Sequence, residues 1–125
     1  MTDARTGQIL AAAFCEGKCA EFALFKRSRT ALAALVVCLA DSGYQGLDKR
    51  HAHSQTPQKK SKHRPLTDED KARNRAISQQ RIGGEIAIAR LKVFKLLSER
   101  YRNRRKQFGL RFNLLCAICN LERTP

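Results

Sequence analysis

The sequence predicts an α/β layer fold, with two or three strands and a helical carboxyl-terminal half. Three observations lead there. Short apolar runs suited to strands, at residues 7–14 and 36–39, flank a stretch with a helical apolar face. The segment from Lys49 to Pro65 is polar, basic and free of periodicity. From Thr67 onward the composition is helical, with no further strand-like run. The chain therefore divides into a strand–helix–strand unit at 7–48, a basic loop at 49–66 and a helical part at 67–122. At 125 residues it suits one small domain or part of a larger one, and 42% hydrophobic content excludes wholesale disorder.

Gly7 to Phe14, "GQILAAAF", is a short apolar run closed by "CEGK", consistent with a buried strand. "AEFALFKRSRTALAAL" predicts a helix in which Phe22, Leu24, Phe25, Leu32 and Leu35 give an imperfect apolar face. Val36 to Leu39 is apolar on both faces and rich in β-branching, as in the middle strand of a covered sheet. It ends at Asp41, and "SGYQG" then turns the chain. Asp41 thus falls at the carboxyl end of a strand, where open α/β sheets place their chemistry. "TPQKKSK" is a candidate short strand within the basic loop. In "LTDED", Thr67 is the expected N-cap and Asp70 the reciprocal partner three residues on. The helical pattern runs on through "SERYRNRRKQF", with a stop expected at Gly109 before a last apolar helix, "LRFNLLCAICNLE".

A net charge of +14 and a pI near 10.3 favour polyanionic partners, nucleic acid first and an anionic membrane surface second. No export signal opens the chain, and the longest apolar stretch, Ala31 to Ala40, is about half a membrane span. A cytoplasmic, nucleoid-associated protein is expected. Five cysteines argue against a disulfide framework in that compartment. Cys15, Cys19, Cys116 and Cys119 have spacings that zinc tolerates. The apolar setting of the last two suits small hydrophobes better. His51, His53 and His63 are expected to face solvent.

One acid stands out. Residues 71–123 carry fourteen Lys or Arg against three acids, and one of these, Glu85, sits in "RIGGEIAIARLK". On a helix, Arg81, Glu85 and Lys92 fall within about 40° of one another. Ile82, Ile86, Ala89, Val93 and Leu96 form a neighbouring apolar stripe. Glu85 is then either an ion-pair partner of Arg81 or a ligand. Gly83-Gly84 would cost about 1 kcal/mol each in a helix, which suggests a close approach by another backbone or a ligand.

"ADSGYQG", "KKSKHRPLT", "ARNRAIS" and "RIGGEIAIARLKVFKLLSERYRNRRKQFGLRFNLL" resemble the carboxyl-terminal half of bacterial insertion-sequence transposases of the DDE type. Arg81, Glu85 and Lys92 are similar to the Tyr–Arg–Glu–Lys signature of that family, with Ser78 where many relatives have Tyr. The resemblance implies a partial ribonuclease-H-like fold that binds DNA and uses Mg²⁺ (or Mn²⁺), with neither membrane nor small-molecule substrate. It implies that Asp41 and Glu85 are the second and third catalytic, metal-binding carboxylates, and that Arg81 and Lys92 contact DNA. The dense bases, Lys59, Lys60 and Lys62 in the loop and Arg100, Arg102, Arg104, Arg105 and Lys106 beyond, are expected to meet phosphates. The family's first aspartate lies on an upstream strand with no counterpart here, and Ala20-Glu21 stand where many relatives carry His-Asp. The expectation is therefore an amino-terminally truncated chain, inactive alone, that exposes a sheet edge and associates with itself or with full-length transposase.

Overall fold

The computed structural model describes residues 1–102 and 104–123. Among the described residues four α-helices form: α1 (Glu21–Ser28), α2 (Asp68–Lys92), α3 (Lys95–Ser98) and α4 (Phe108–Leu121). Two strands, β1 (Cys38–Leu39) and β2 (Ser54–Gln55), pair in parallel, Cys38 opposite Ser54 and Leu39 opposite Gln55. The helix and strand content is that of a partial α/β fold. Among the described residues no helix is long and apolar enough to cross a membrane. The chain divides into two compact units, Cys15–Arg81 and Met1–Phe14 with Ile82–Pro125.

In the Cys15–Arg81 unit, α1 is shorter than the apolar pattern suggested. The Ser28 hydroxyl turns back to the Phe25 carbonyl and to the Thr30 hydroxyl, and Arg29 takes a left-handed conformation (φ 51°). Hydroxyls that bond locally compete with helix propagation, and a left-handed residue ends it. β1 is likewise two residues rather than four. Val36 and Val37 are exposed, so the covered central strand expected there is instead a short strand with one partner. β2 lies just before "TPQKKSK", at Ser54–Gln55. Ala40, Leu47 and Ile77 are the buried apolar side chains of this unit. His51, expected in solvent, is also buried, and its Nε2 meets the Val36 carbonyl. Its apolar site is acceptable because the ring has that partner.

α2 begins where the sequence places it. Asp70 N–H donates to Thr67 Oγ1 at 3.1 Å and Thr67 N–H donates to Asp70 Oδ2 at 3.2 Å. This reciprocal cap stabilises the start by about 1 kcal/mol. Backbone N–H donation from Thr67 holds the exposed Asp70 carboxyl below its ordinary pKa.

In the other unit, residues 7–14 form no strand beyond an isolated Thr2–Ile9 bridge. Their backbone bonds go elsewhere: Leu10 N–H donates to the Met1 carbonyl, and Asn120 of α4 brackets Ile9, accepting from its N–H (2.8 Å) and donating to its carbonyl (2.9 Å). Asp3 closes the preceding turn by accepting from Arg5 and Thr6 N–H groups. Leu91, Cys116 and Cys119 form the buried cluster, with Ile9, Phe94, Leu97, Phe112 and Leu115 packed on it. The two cysteines thus act as small hydrophobes.

The anticipated stripe of Ile82, Ile86 and Val93 is exposed; Ala87 and Leu91, one turn apart, face inward instead. Gly83 and Gly84 explain the shift. A Cβ on Gly84 would lie 2.6 Å from Thr2 Oγ1, and one on Gly83 would lie 3.3 Å from the Ala4 carbonyl oxygen. The amino-terminal turn therefore packs directly on α2 where side chains are absent, and the paired glycines serve an approach of the chain's own backbone. Helix also fails to continue through "SERYRNRRKQF": residues 99–102 and 104 are irregular, a short 3₁₀ turn covers Arg105–Gln107, and α4 starts at Phe108. Like charges at i,i+4, Arg100 with Arg104 and Arg102 with Lys106, disfavour helix there. Gly109 lies inside α4, close to the Phe14 ring, and does not stop the chain.

Candidate functional site

β1 and the turn after it present Asp41. Ala40, buried, donates its N–H to the Gln55 carbonyl, and Asp41 follows in extended conformation. Its carboxylate accepts from Ser42 N–H and so caps a 3₁₀ turn, Ser42–Tyr44, that the Tyr44 N–H closes on the Asp41 carbonyl at 2.9 Å. The Asp41 side chain stays about half exposed, at 51%, and Arg81 Nη1 lies 3.9 Å from its Oδ1. At that exposure and distance the ion pair adds well under about 1 kcal/mol of stability. Its significance is positional: the first base of the "RIGGE" stretch and the acid ending β1 occupy one place in the same unit.

Tyr44 packs between this turn and α1, with ring centroids 5.6 Å from Phe22 and 6.1 Å from Phe25. Burial raises its phenol above the ordinary pKa, with the Glu21, Cys38 and Asp41 charges adding and Arg81 opposing. Burial likewise pushes up the Cys38 thiol.

Lys59, Lys60 and Lys62 are exposed in the same unit as Asp41, together with Arg64. Lys62 and Arg64 lie on a defined turn that Lys59 and Lys60 precede: Ser61 and Arg64 exchange backbone hydrogen bonds at 3.1 and 3.3 Å, and the Ser61 hydroxyl also accepts from Arg64 N–H. Two side chains that sequence reasoning passed over hold the approach to this turn. Gln45 Nε2 donates to the Ser42 and Pro57 carbonyls, at 3.2 and 3.1 Å. Asn74 on α2 accepts from Gln58 N–H at 2.8 Å and donates to the Gln58 carbonyl at 3.0 Å. The one local signal was an Asn, a poor helix-interior residue, in the middle of "ARNRAIS".

Glu85 and Lys92 belong to the other unit, both exposed on the later part of α2. Arg100, Arg102, Arg104, Arg105 and Lys106 are also exposed, on irregular chain and the 3₁₀ turn rather than on a helix. That segment is shaped from within. Tyr101 Oη donates to the Arg104 carbonyl at 3.2 Å and accepts from Arg111 Nη1 at 3.1 Å, while Arg111 Nη2 reaches Gln107 Oε1 at 3.2 Å. The Tyr101 ring stands edge-on to Phe108 at 5.0 Å. Arg111 is thereby occupied inside the fold, whereas Arg100 and Arg102, on either side of Tyr101, are exposed. Asn103 lies outside the described residues.

The donor chemistry of Asp41 and Glu85 suits a hard divalent cation. Among the described residues, however, no three of His, Cys, Asp and Glu gather into a group able to hold a metal ion. Asp3 is committed to its own turn, and its carboxyl is held below the ordinary range by backbone N–H donation from Thr6 and Arg5.

Residues 1–120 match the family described as transposase DDE domain. Over 118 residues, 94% of the chain, the sequence is 43% identical to a protein of Microchaete diplosiphon described as a probable transposase for insertion sequence element IS702. The chain spans 43% of the length of that relative. No solved structure matches.

Proposed function

The chain belongs to the transposase DDE domain family, and on that premise we propose that it is the carboxyl-terminal part of an insertion-sequence transposase, binding DNA and contributing two carboxylates to phosphodiester cleavage and strand transfer. Asp41 and Glu85 are the proposed metal-binding acids, within what we read as part of a ribonuclease-H-like fold. Divalent metal use belongs to the family, and Mg²⁺ or Mn²⁺ is the proposed ion; it would supply the charge that activates the attacking oxygen and steadies the leaving one. The protein's own residues bind and orient. Arg81 and Lys92 face the strand being cut, and the bases at 59–62 and 100–106 hold the flanking phosphates.

One observation supports this reading above the others: Arg81 of the signature stands beside Asp41 although the two lie far apart in sequence. Residues that serve one reaction must meet in space, which is why this pairing supports the reading. A second reading is that the chain alone is a DNA-binding remnant that does not cut and that inhibits full-length transposase by joining it. One assay tests whether the chain cuts by itself. Supercoiled plasmid incubated with the chain and Mg²⁺ or Mn²⁺ should stay supercoiled. Nicking that disappears in both Asp41→Ala and Glu85→Ala would show instead that the chain is a working nuclease.

A further inference from the structure

We propose that Gln45 and Asn74 are positioning residues that fasten the Lys59–Arg64 basic turn to the Asp41 turn, so that DNA phosphates meet a preset element rather than a loose basic tail. The proposal rests on the DNA-binding reading above and adds to it which side chains set the binding geometry.

The fastening is continuous within one unit. β2 fixes residues 54–55 against β1, with Cys38 N–H donating to His53 and Ala40 N–H to Gln55. Gln45 then takes hold of Pro57 while its amide also donates to Ser42, the residue whose N–H binds the Asp41 carboxylate. Asn74 takes both backbone groups of Gln58, in the manner of a strand partner, and is itself carried on α2. The next residues are Lys59 and Lys60, and the Ser61–Arg64 turn follows. Every backbone anchor falls before the first lysine, and the lysine side chains remain exposed. This division suits a rigid base with free cationic heads. An amide has no net charge, so Gln45 and Asn74 would add affinity only by sparing the segment the entropy of being ordered on DNA. A flexible tail of the same charge would meet phosphates with the same salt dependence but more weakly.

A thermodynamic cycle tests this. Affinity for a short duplex is measured for the chain, Asn74→Ala, the triple Lys59→Ala/Lys60→Ala/Lys62→Ala, and the combination. Asn74→Ala should weaken binding by roughly three- to tenfold in the parent, at unchanged net charge. It should have no further effect once the lysines are gone, because it acts through them. In the same variant the Gln58 amide should exchange hydrogen faster. Equal weakening in both backgrounds, or unchanged affinity in the parent, would overturn the proposal, as would an unaltered Gln58 exchange rate. Should Asn74→Ala fail to fold, Gln45→Ala, which removes only the bonds to Ser42 and Pro57, runs the same cycle. A parent chain that shows no salt-dependent binding would instead bring down the DNA-binding reading and this inference with it. Binding lost in the lysine triple but intact in Asn74→Ala and Gln45→Ala would bring down the inference alone.

Discussion

Raising monovalent salt from about 50 to about 200 mM should weaken duplex binding by about a thousandfold, a log–log slope of about −5. The magnitude follows from counter-ion release. Roughly six phosphate contacts give that slope, and the exposed bases exceed this number: Lys59, Lys60 and Lys62 at and before the turn, and Arg100, Arg102, Arg104, Arg105 and Lys106 around Tyr101. Arg111 is not counted, because Tyr101 and Gln107 already take its guanidinium. Duplexes of different sequence should give nearly the same slope and affinity, since phosphate contacts carry no base information. Fluorescence anisotropy across a salt series reads both quantities. A flat response would remove the electrostatic account of the net charge of +14.

Leu47→Ala should lower the melting temperature of the Cys15–Arg81 unit by roughly 10–20 °C. Leu47 is 1% exposed and is one of the few fully buried large side chains. Emptying such a site costs about 2–5 kcal/mol, a large share of the stability of any small unit. Its carbonyl also accepts from Arg50 and His51 N–H groups, closing the 3₁₀ turn at Leu47–Lys49. The Asp41–Arg81 arrangement and the anchored basic turn should therefore loosen together with the melt. Circular dichroism melting checks the shift; an unchanged transition would mean that Leu47 does not hold this unit together.

Local signals were readable in the sequence and non-local ones were not. The Thr67–Asp70 cap was legible because both halves sit three residues apart, and the Gly83-Gly84 pair announced a close approach without naming the partner. Strands were over-read. Val36 and Val37 have the composition of a covered strand, but a strand extends only as far as its partner, and Ser54–Gln55 supplies two residues. The "SERYRNRRKQF" segment has helix-forming residues throughout, yet its repelling bases and the Tyr101–Arg111 bonds favour an irregular path. For the site, charge density and the acid at the end of β1 were readable locally, residue by residue. The placement of Arg81 against Asp41, and the hold of Gln45 and Asn74 on the basic segment, join residues 12 or more positions apart. No periodicity encodes such pairings.

The proposal that carries the function is that Asp41 and Glu85 are both metal-binding acids. Mn²⁺ titrated into isotopically labelled chain broadens amide resonances steeply with proximity to the ion. The account predicts that Ser42 and the amides flanking Glu85 broaden together over one concentration range, and that Asp41→Ala abolishes both effects. Broadening at Ser42 with the Glu85 neighbours untouched, or the reverse, would contradict it.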